Sequence, residues 1–225
     1  MGKSNSLSIG GTRFLYSIIF MCYLFAHIDM GILAQASEII QSDLAITEGQ
    51  MGLLETAMYI GIVLGSVICS ILFSVCSPKL IILGAVIFNA GAVAVFSLTQ
   101  IYWAIFASRV AVGLFLSVFI IYFPVWIDQC APIKSQAIWI SFYFLTEDLG
   151  MVLGYGIAVL CNSVLNVNWK WGFMVQSALM VFPVFLLFLV VPGKYFNQTP
   201  GGERHKNLSI IGAESEDNAS LPETP

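Results

Sequence analysis

Charge is what this chain has least of. Only 10% of its 225 residues are Asp, Glu, Lys or Arg, where a soluble domain carries roughly 25%. An ordinary water-facing exterior is therefore excluded. About half of the formal charge of −4 comes from the C-terminal tail, and it indicates no nucleic-acid partner. Motifs of chemistry are scarce as well. No C-x-x-C or zinc spacing, no nucleotide-binding loop and no nucleophile triad occurs, so we expect no enzyme, no metal and no cofactor. The five cysteines (Cys22, Cys69, Cys76, Cys130, Cys161) are scattered in or beside apolar segments and read as small hydrophobic fillers.

What is abundant is apolar length. Hydrophobic residues make up 58% of the chain, and the mean hydropathy is +0.88. A helix needs about 20 apolar residues to cross the hydrocarbon core. Windows 14–36, 51–72, 80–98, 102–127, 137–160 and 171–191 qualify, which predicts an all-α membrane protein of six transmembrane helices. The first window is too long, and too interrupted by His27 and Asp29, for a cleaved signal peptide. The polar connectors fall at 37–50, 77–79, 128–136 and 161–170. Residues 1–13 read as a cytosolic segment, 14–192 as the bundle, and 193–225 as a disordered tail rich in Gly, Pro, Ser and Glu.

Orientation follows from the bases. Lys3, Arg13, Lys79, Lys134, Lys194, Arg204 and Lys206 share one side, and Lys170 alone falls on the other. The positive-inside rule then puts both termini in the cytosol. Glycosylation sequons at Asn197, Asn207 and Asn218 would matter only in a lumenal tail, and the charge bias outweighs them.

Gly61-Ile-Val-Leu-Gly65 in the second window is echoed by Gly150-Met-Val-Leu-Gly154 in the fifth. Both are G-x-x-x-G steps that let backbones approach closely. Their placement suggests a three-plus-three duplication. Because three spans reverse topology, the repeats would be inverted, as in many secondary transporters.

Residues 46–61 (ITEGQMGLLETAMYIG), the stretch from Ser108, Arg109 and Gly113 to Pro124, and Gly150 to Tyr155 together resemble the major facilitator superfamily, closest to its spinster-like branch of lipid and organic-solute transporters. The likeness runs over about 26–192, and full-length members carry two six-helix halves. Arg109 and Gly113 match the arginine and glycine of the family's fourth-helix motif. Asp29 matches a first-helix acid, and Gly150 and Gly154 fall on the glycine-rich fifth helix. Departures are clear too. The loop that would read G-x-L-x-D-R-x-x-R-K keeps only Leu72 and Lys79, with Ser74 and Val75 in place of Asp and Arg. Leu116 stands where the branch often has an acid, and Met30 where it has an arginine. The resemblance implies transport of a small organic or lipid-like solute. It also implies a second bundle, either a copy of the chain or a partner half-transporter, meeting the glycine faces of the second and fifth helices. Loss of the charged latch keeps a non-transporting scaffold or regulatory subunit, or a truncated transporter product, open as alternatives.

The polar residues inside apolar windows are the candidate sites. Asp29 and Arg109 could form an ion pair, since either alone is expensive to bury. Such a pair either locks two helices or works in transport, Arg109 binding an anionic headgroup with its planar fork while Asp29 exchanges partners or protons. Glu147 and Asp148 point about 100° apart on a helix. Glu147 shares the Gly150–Gly154 stripe, while Asp148 turns toward Phe144 and Tyr155. Each is either a proton-coupling group or a neutral hydrogen-bonding one. Glu55 lies near an end of the second window and is expected to be interfacial. His27 is either a packed histidine or a relay member. Gly61, Gly65, Gly113, Gly150 and Gly154 are the expected helix-packing positions.

Overall fold

The computed structural model describes residues 9–132 and 135–189, and among these every regular element is helical. Helices α1 (Ile9–Ala26) and α2 (Ile28–Leu44) are two arms of one passage broken at His27. There the backbone sits at φ −98° and ψ 0°. Helices α3 (Glu48–Val75), α4 (Pro78–Leu98), α5 (Tyr102–Cys130), α6 (Gln136–Val159) and α7 (Lys170–Leu189) follow, with a π-helical turn at Leu160–Val164 after α6. Among the described residues, Arg13–Leu44, Glu48–Val75, Pro78–Leu98, Tyr102–Cys130 and Gln136–Val164 are long and apolar enough to cross a membrane. Helix α7 lies beside α4 and α1 as the sixth member of the bundle. Residues 1–8, 133–134 and 190–225, which include Lys134, the expected tail and the end of the last window, are outside the described residues.

Helix ends depart from the apolar windows. The expected connector at 37–50 is mostly helix. Ser37, Glu38, Gln41, Ser42 and Asp43 are polar, yet Ala36 and Ile40 continue the buried stripe, so α2 runs on with one face packed. It stops at Ala45, whose positive φ of 51° lets its N–H bond the Gln41 carbonyl. Helix α3 starts two residues later at a capping box. The Thr47 N–H donates to Gln50 Oε1 (2.9 Å), and Thr47 Oγ1 accepts from the Gln50 N–H (3.3 Å). Two such reciprocal bonds satisfy donors that a helix start would otherwise orphan. At 128–136, α5 likewise extends to Cys130 before the chain turns.

Packing follows an inverted repeat. Helix α3 lies on α5 as α6 lies on α1 and α2, while α4 lies on α7 across the middle. Glycines set the register. A Cβ on Gly61 would collide with the Val110 carbonyl oxygen and approach Leu114, and one on Gly113 would collide with Met58 O and approach Ile62. In the other half, Gly154 meets Ile28 O and Ile32, and Gly31 meets Met151 O and Tyr155. The two sets share one spacing. They equate Ile28, Gly31 and Ile32 with Val110, Gly113 and Leu114, and Met58, Gly61 and Ile62 with Met151, Gly154 and Tyr155. Gly61 is thus the counterpart of Gly154, not of Gly150, one turn away from the alignment that the shared G-x-V-L-G letters suggest.

The same contacts correct a second expectation. Gly61, Gly65, Gly150 and Gly154 are buried against α5, α1 and α2, so their stripes close the bundle rather than opening toward a partner. The outward faces of α3 and α6 are large side chains, among them Tyr59, Val63, Val67, Phe144 and Val152.

Gly113→Ala should lower stability by about 1–3 kcal/mol, the usual cost of forcing atoms into a packed interface. Gly91→Ala, with nothing within 4 Å of its added Cβ, should be neutral or stabilising. Thermal unfolding of both variants in one detergent checks the contrast; equal midpoints would refute this packing.

Candidate functional site

Arg109 and Asp29 are almost wholly inside the bundle, at 2% and 0% exposure. The α5 guanidinium donates through Nη1 to Asp29 Oδ2 on α2. Its Cζ also lies 4.9 Å from the centre of the Phe96 ring on α4, within cation–π range. Three helices therefore converge on one cation. The pair is one-pronged: among the described residues, Arg109 Nε and Asp29 Oδ1 have no hydrogen-bond partner.

Two buried amides repeat this half-satisfied pattern. Asn89 on α4 donates to the Val112 carbonyl of α5 (3.2 Å), and Gln176 on α7 donates to the Phe25 carbonyl of α1 (3.1 Å). Each side-chain oxygen is left without a described partner. The Phe25 carbonyl sits just before the break at His27, where the helical ladder is interrupted, and a side-chain donor there is the usual remedy. Both amides are polar residues in mid-window. The reasoning that singles out Arg109 would have found them.

A second polar centre joins α1 to α6. His27 donates from Nδ1 to the Tyr23 carbonyl (2.9 Å), and its ring meets the Tyr23 ring edge-on at 4.2 Å. The Tyr23 hydroxyl donates to Glu147 Oε2 (3.4 Å). Tyr143 stacks on Tyr23 at 4.3 Å and donates to the Phe119 carbonyl (3.1 Å). Sequence reasoning missed both tyrosines, because an isolated tyrosine in an apolar window has no pattern of its own. In the repeat register His27 precedes Ile28 as Arg109 precedes Val110. The imidazole and the guanidinium thus occupy equivalent places in the two halves.

Glu55 and Asp148 are elsewhere. Both are exposed and touch no polar partner among the described residues, whereas Glu147 is half-buried. A shallow depression of about 470 Å³ lies at the end of α2 against residues 162–169, with Ser42, Asp43, Asn162 and Asn168 in its wall. None of the candidate residues lines it. No group of three or more metal-ligating side chains occurs among the described residues.

A family model described as Major Facilitator Superfamily matches residues 19–218. The probable sphingolipid transporter spinster homolog 1 of Arabidopsis thaliana is 26% identical over 154 residues, covering 68% of this chain and 31% of the relative. The D-xylose transporter of Levilactobacillus brevis is 26% identical over 176 residues, covering 76% and 38%. The chain therefore spans about a third of the length of these relatives. Among solved structures, a bacterial homolog to the human lysosomal transporter Spinster, inward-facing and unoccupied, superposes with a TM-score of 0.74 at 17% identity. That match covers 87% of this chain and 46% of that one. A D-xylose–proton symporter gives 0.67 at 15% identity over 91% and 52%. At those identities the likeness establishes fold alone.

Arg109→Met should cost about 3–5 kcal/mol, because it leaves Asp29 charged and alone in a low dielectric. The pair replacement Asp29→Leu with Arg109→Met should cost far less than the two single changes together. A double-mutant cycle on unfolding midpoints measures this; simple additivity would mean that the two charges do not interact.

Proposed function

Because this chain belongs to the major facilitator superfamily, we propose that it carries a small organic or lipid-like solute across a membrane, as one six-helix half of a secondary transporter. Family membership carries this reading. The relatives, one a probable sphingolipid transporter and one a D-xylose transporter, bracket the solute class, and the spinster relatives favour the lipid-like end. No enzyme activity is part of the proposal.

In such transporters two bundles enclose a midplane site and rock about it. In our reading Arg109 leaves Asp29 during that movement to meet an anionic group on the solute, and Asp29 takes a proton or another partner. The one-pronged geometry supports this. A lock made only for stability would satisfy every donor and acceptor, since half-satisfied buried networks are costly. Among the described residues Nε and Oδ1 have no hydrogen-bond partner, which leaves them open to a second one. Glu147, held by Tyr23 with His27 behind it, is the proposed proton-coupling group. In this reading both termini lie in the cytosol, which the one-sided distribution of the bases supports. The opposing wall comes from a second bundle, either a copy of this chain or another half-transporter.

One observation favours a rival reading as a scaffold or regulatory subunit. The stretch where the family has a charged latch offers exposed Ser74 and Val75, which form no ionic contact. Flux decides between the two. Membrane vesicles from cells expressing the chain should take up a fluorescent lysolipid or labelled D-xylose faster than control vesicles. Arg109→Ala should slow uptake about ten-fold or more, equivalent to roughly 1.4 kcal/mol, and Arg109→Lys should restore part of it. Flux equal in wild type and Arg109→Ala would remove Arg109 from the mechanism. No uptake above control would favour the scaffold.

Glu147→Gln should abolish any dependence of that uptake on an imposed proton gradient while leaving counterflow exchange intact. Tyr23→Phe should change the same gradient dependence less. An unaltered gradient response in Glu147→Gln would assign coupling elsewhere.

A further inference from the structure

Neutral polar side chains crowd together at the end of the bundle where α2 stops and α6 hands over to α7. Residues 161–170 read CNSVLNVNWK, with asparagines at 162, 166 and 168. The backbone there is irregular. A π-helical turn covers Leu160–Val164, and Asn166 adopts a positive φ of 50°. Such turns are rare and recur at functional sites, while asparagine tolerates the left-handed region. The loop closes over the end of α2 and leaves the depression of about 470 Å³, within the size range of small-molecule sites.

The wall is fixed by bonds that each use one end of a side chain and leave the other end without a described partner. Asn162 Nδ2 donates to Gln35 Oε1 (2.8 Å), which leaves the Asn162 carbonyl oxygen. Trp169 Nε1 donates to Asp43 Oδ2 (3.0 Å), which leaves Oδ1. Asn168 Oδ1 accepts from the Lys170 N–H (3.0 Å), which leaves the Asn168 amide donors. Ser42 donates to the Ile39 carbonyl (2.9 Å) and can still accept.

This mixture selects the ligand. An ammonium would satisfy Asp43, Asn162 and Ser42 but has nothing to offer the donors of Asn168. An anion would meet the Asp43 carboxylate with no base to offset it. None of the lining residues is basic, and Lys170 is held over the Trp169 ring at 5.5 Å. Calcium takes about six to eight oxygens, and this wall sets one carboxylate among amides. A hydroxyl both donates and accepts, and neighbouring hydroxyls on one ring can bridge several such groups. Ile39 and Val167, in the same wall, supply apolar surface for the ring's C–H bonds.

We propose that this depression binds two neighbouring hydroxyls of a sugar ring through Asp43, Asn162 and Asn168, the sugar being either free or the headgroup of a glycolipid. The site is separate from the Arg109–Asp29 pair. Asp43 lies 14 residues beyond Asp29 on α2, roughly 21 Å along the axis. Its wall nonetheless touches the same framework, because the Trp169 ring meets Phe96 edge-on at 6.0 Å, and Phe96 is the ring beneath Arg109.

The full chain in phosphatidylcholine nanodiscs, with isotope-labelled tryptophan, tests this by magnetic resonance. Trp169→Phe identifies the Trp169 indole N–H signal, which reports directly on Asp43. D-glucose at millimolar concentration should shift that signal saturably. Discs doped with glucosylceramide provide the second arm. A response to D-glucose marks a free sugar as ligand, and a response to glucosylceramide alone marks a glycolipid headgroup. Asp43→Asn keeps an oxygen for Trp169 but turns the other acceptor into a donor, and should weaken binding about ten-fold. Asn168→Asp keeps the oxygen that holds the Lys170 N–H, removes the donor, and should weaken it by a similar factor. Ser42→Ala, at an exposed helical position, should weaken it about three-fold and carries the test if a loop variant misfolds. A Trp169 signal unmoved by either sugar, tighter saturation by ethanolamine, inorganic phosphate or calcium, or an affinity unchanged in any folded variant would each overturn the proposal. The readout involves no flux, so it stands apart from whether the chain transports.

Discussion

Four carbonyl oxygens occupy the places where four side chains would have to begin. Val110 and Met58 face Gly61 and Gly113, and Ile28 and Met151 face Gly154 and Gly31. In lipid there is no hydrophobic force to draw helices together, so association depends on close packing of small residues. These contacts bring α3 against α5 and α2 against α6 at backbone distance. They fix the relative slide of each pair, because a shift by one residue would put a Cβ into a carbonyl. The polar groups inherit their positions from that slide. Arg109 and His27 each sit one residue before the start of a glycine contact, and Glu55 and Asp148 three residues before one.

Much of this arrangement was legible in the letters, for physical reasons. Six apolar windows locate the helices because a bilayer core demands that length. Arg109 and Asp29 stand out because a charge in such a window needs a partner. Helix ends were less visible: residues 37–44 are polar enough to look like a loop, and only the buried positions of Ala36 and Ile40 show that α2 continues. The repeat was visible but displaced. GIVLG and GMVLG are the most similar strings, yet the steric equivalence pairs the first glycine of one with the second of the other. Similar letters recorded a shared need for small residues, not a shared depth. The Tyr23–Glu147 bond left no trace at all, since it links residues on helices far apart in sequence.

The polar interior is sparing and incompletely satisfied. Arg109, Asp29, Asn89 and Gln176 each make one good contact and leave one atom without a described partner. Buried polar networks in a low dielectric are favourable when complete and costly when partial. A bundle selected for rigidity alone would have replaced such groups by hydrophobic ones at little loss. Keeping them fits a protein whose helices must exchange partners. The break at His27 fits as well, because it interrupts the ladder of the helix that carries Asp29.

Charge is also sorted by direction. Arg109 is turned inward and paired, while Glu55 of α3 and Asp148 of α6 are turned outward and have no polar partner among the described residues. In water that sorting would mean little, since exposed acids are solvated. Across a bilayer it is a constraint, because an outward acid at mid-depth needs water or a counterion that neither lipid nor this chain's own α3 and α6 can supply. The inner pair explains how the half-bundle holds together. The outer acids mark where the face of α3 and α6 departs from an ordinary lipid-facing surface.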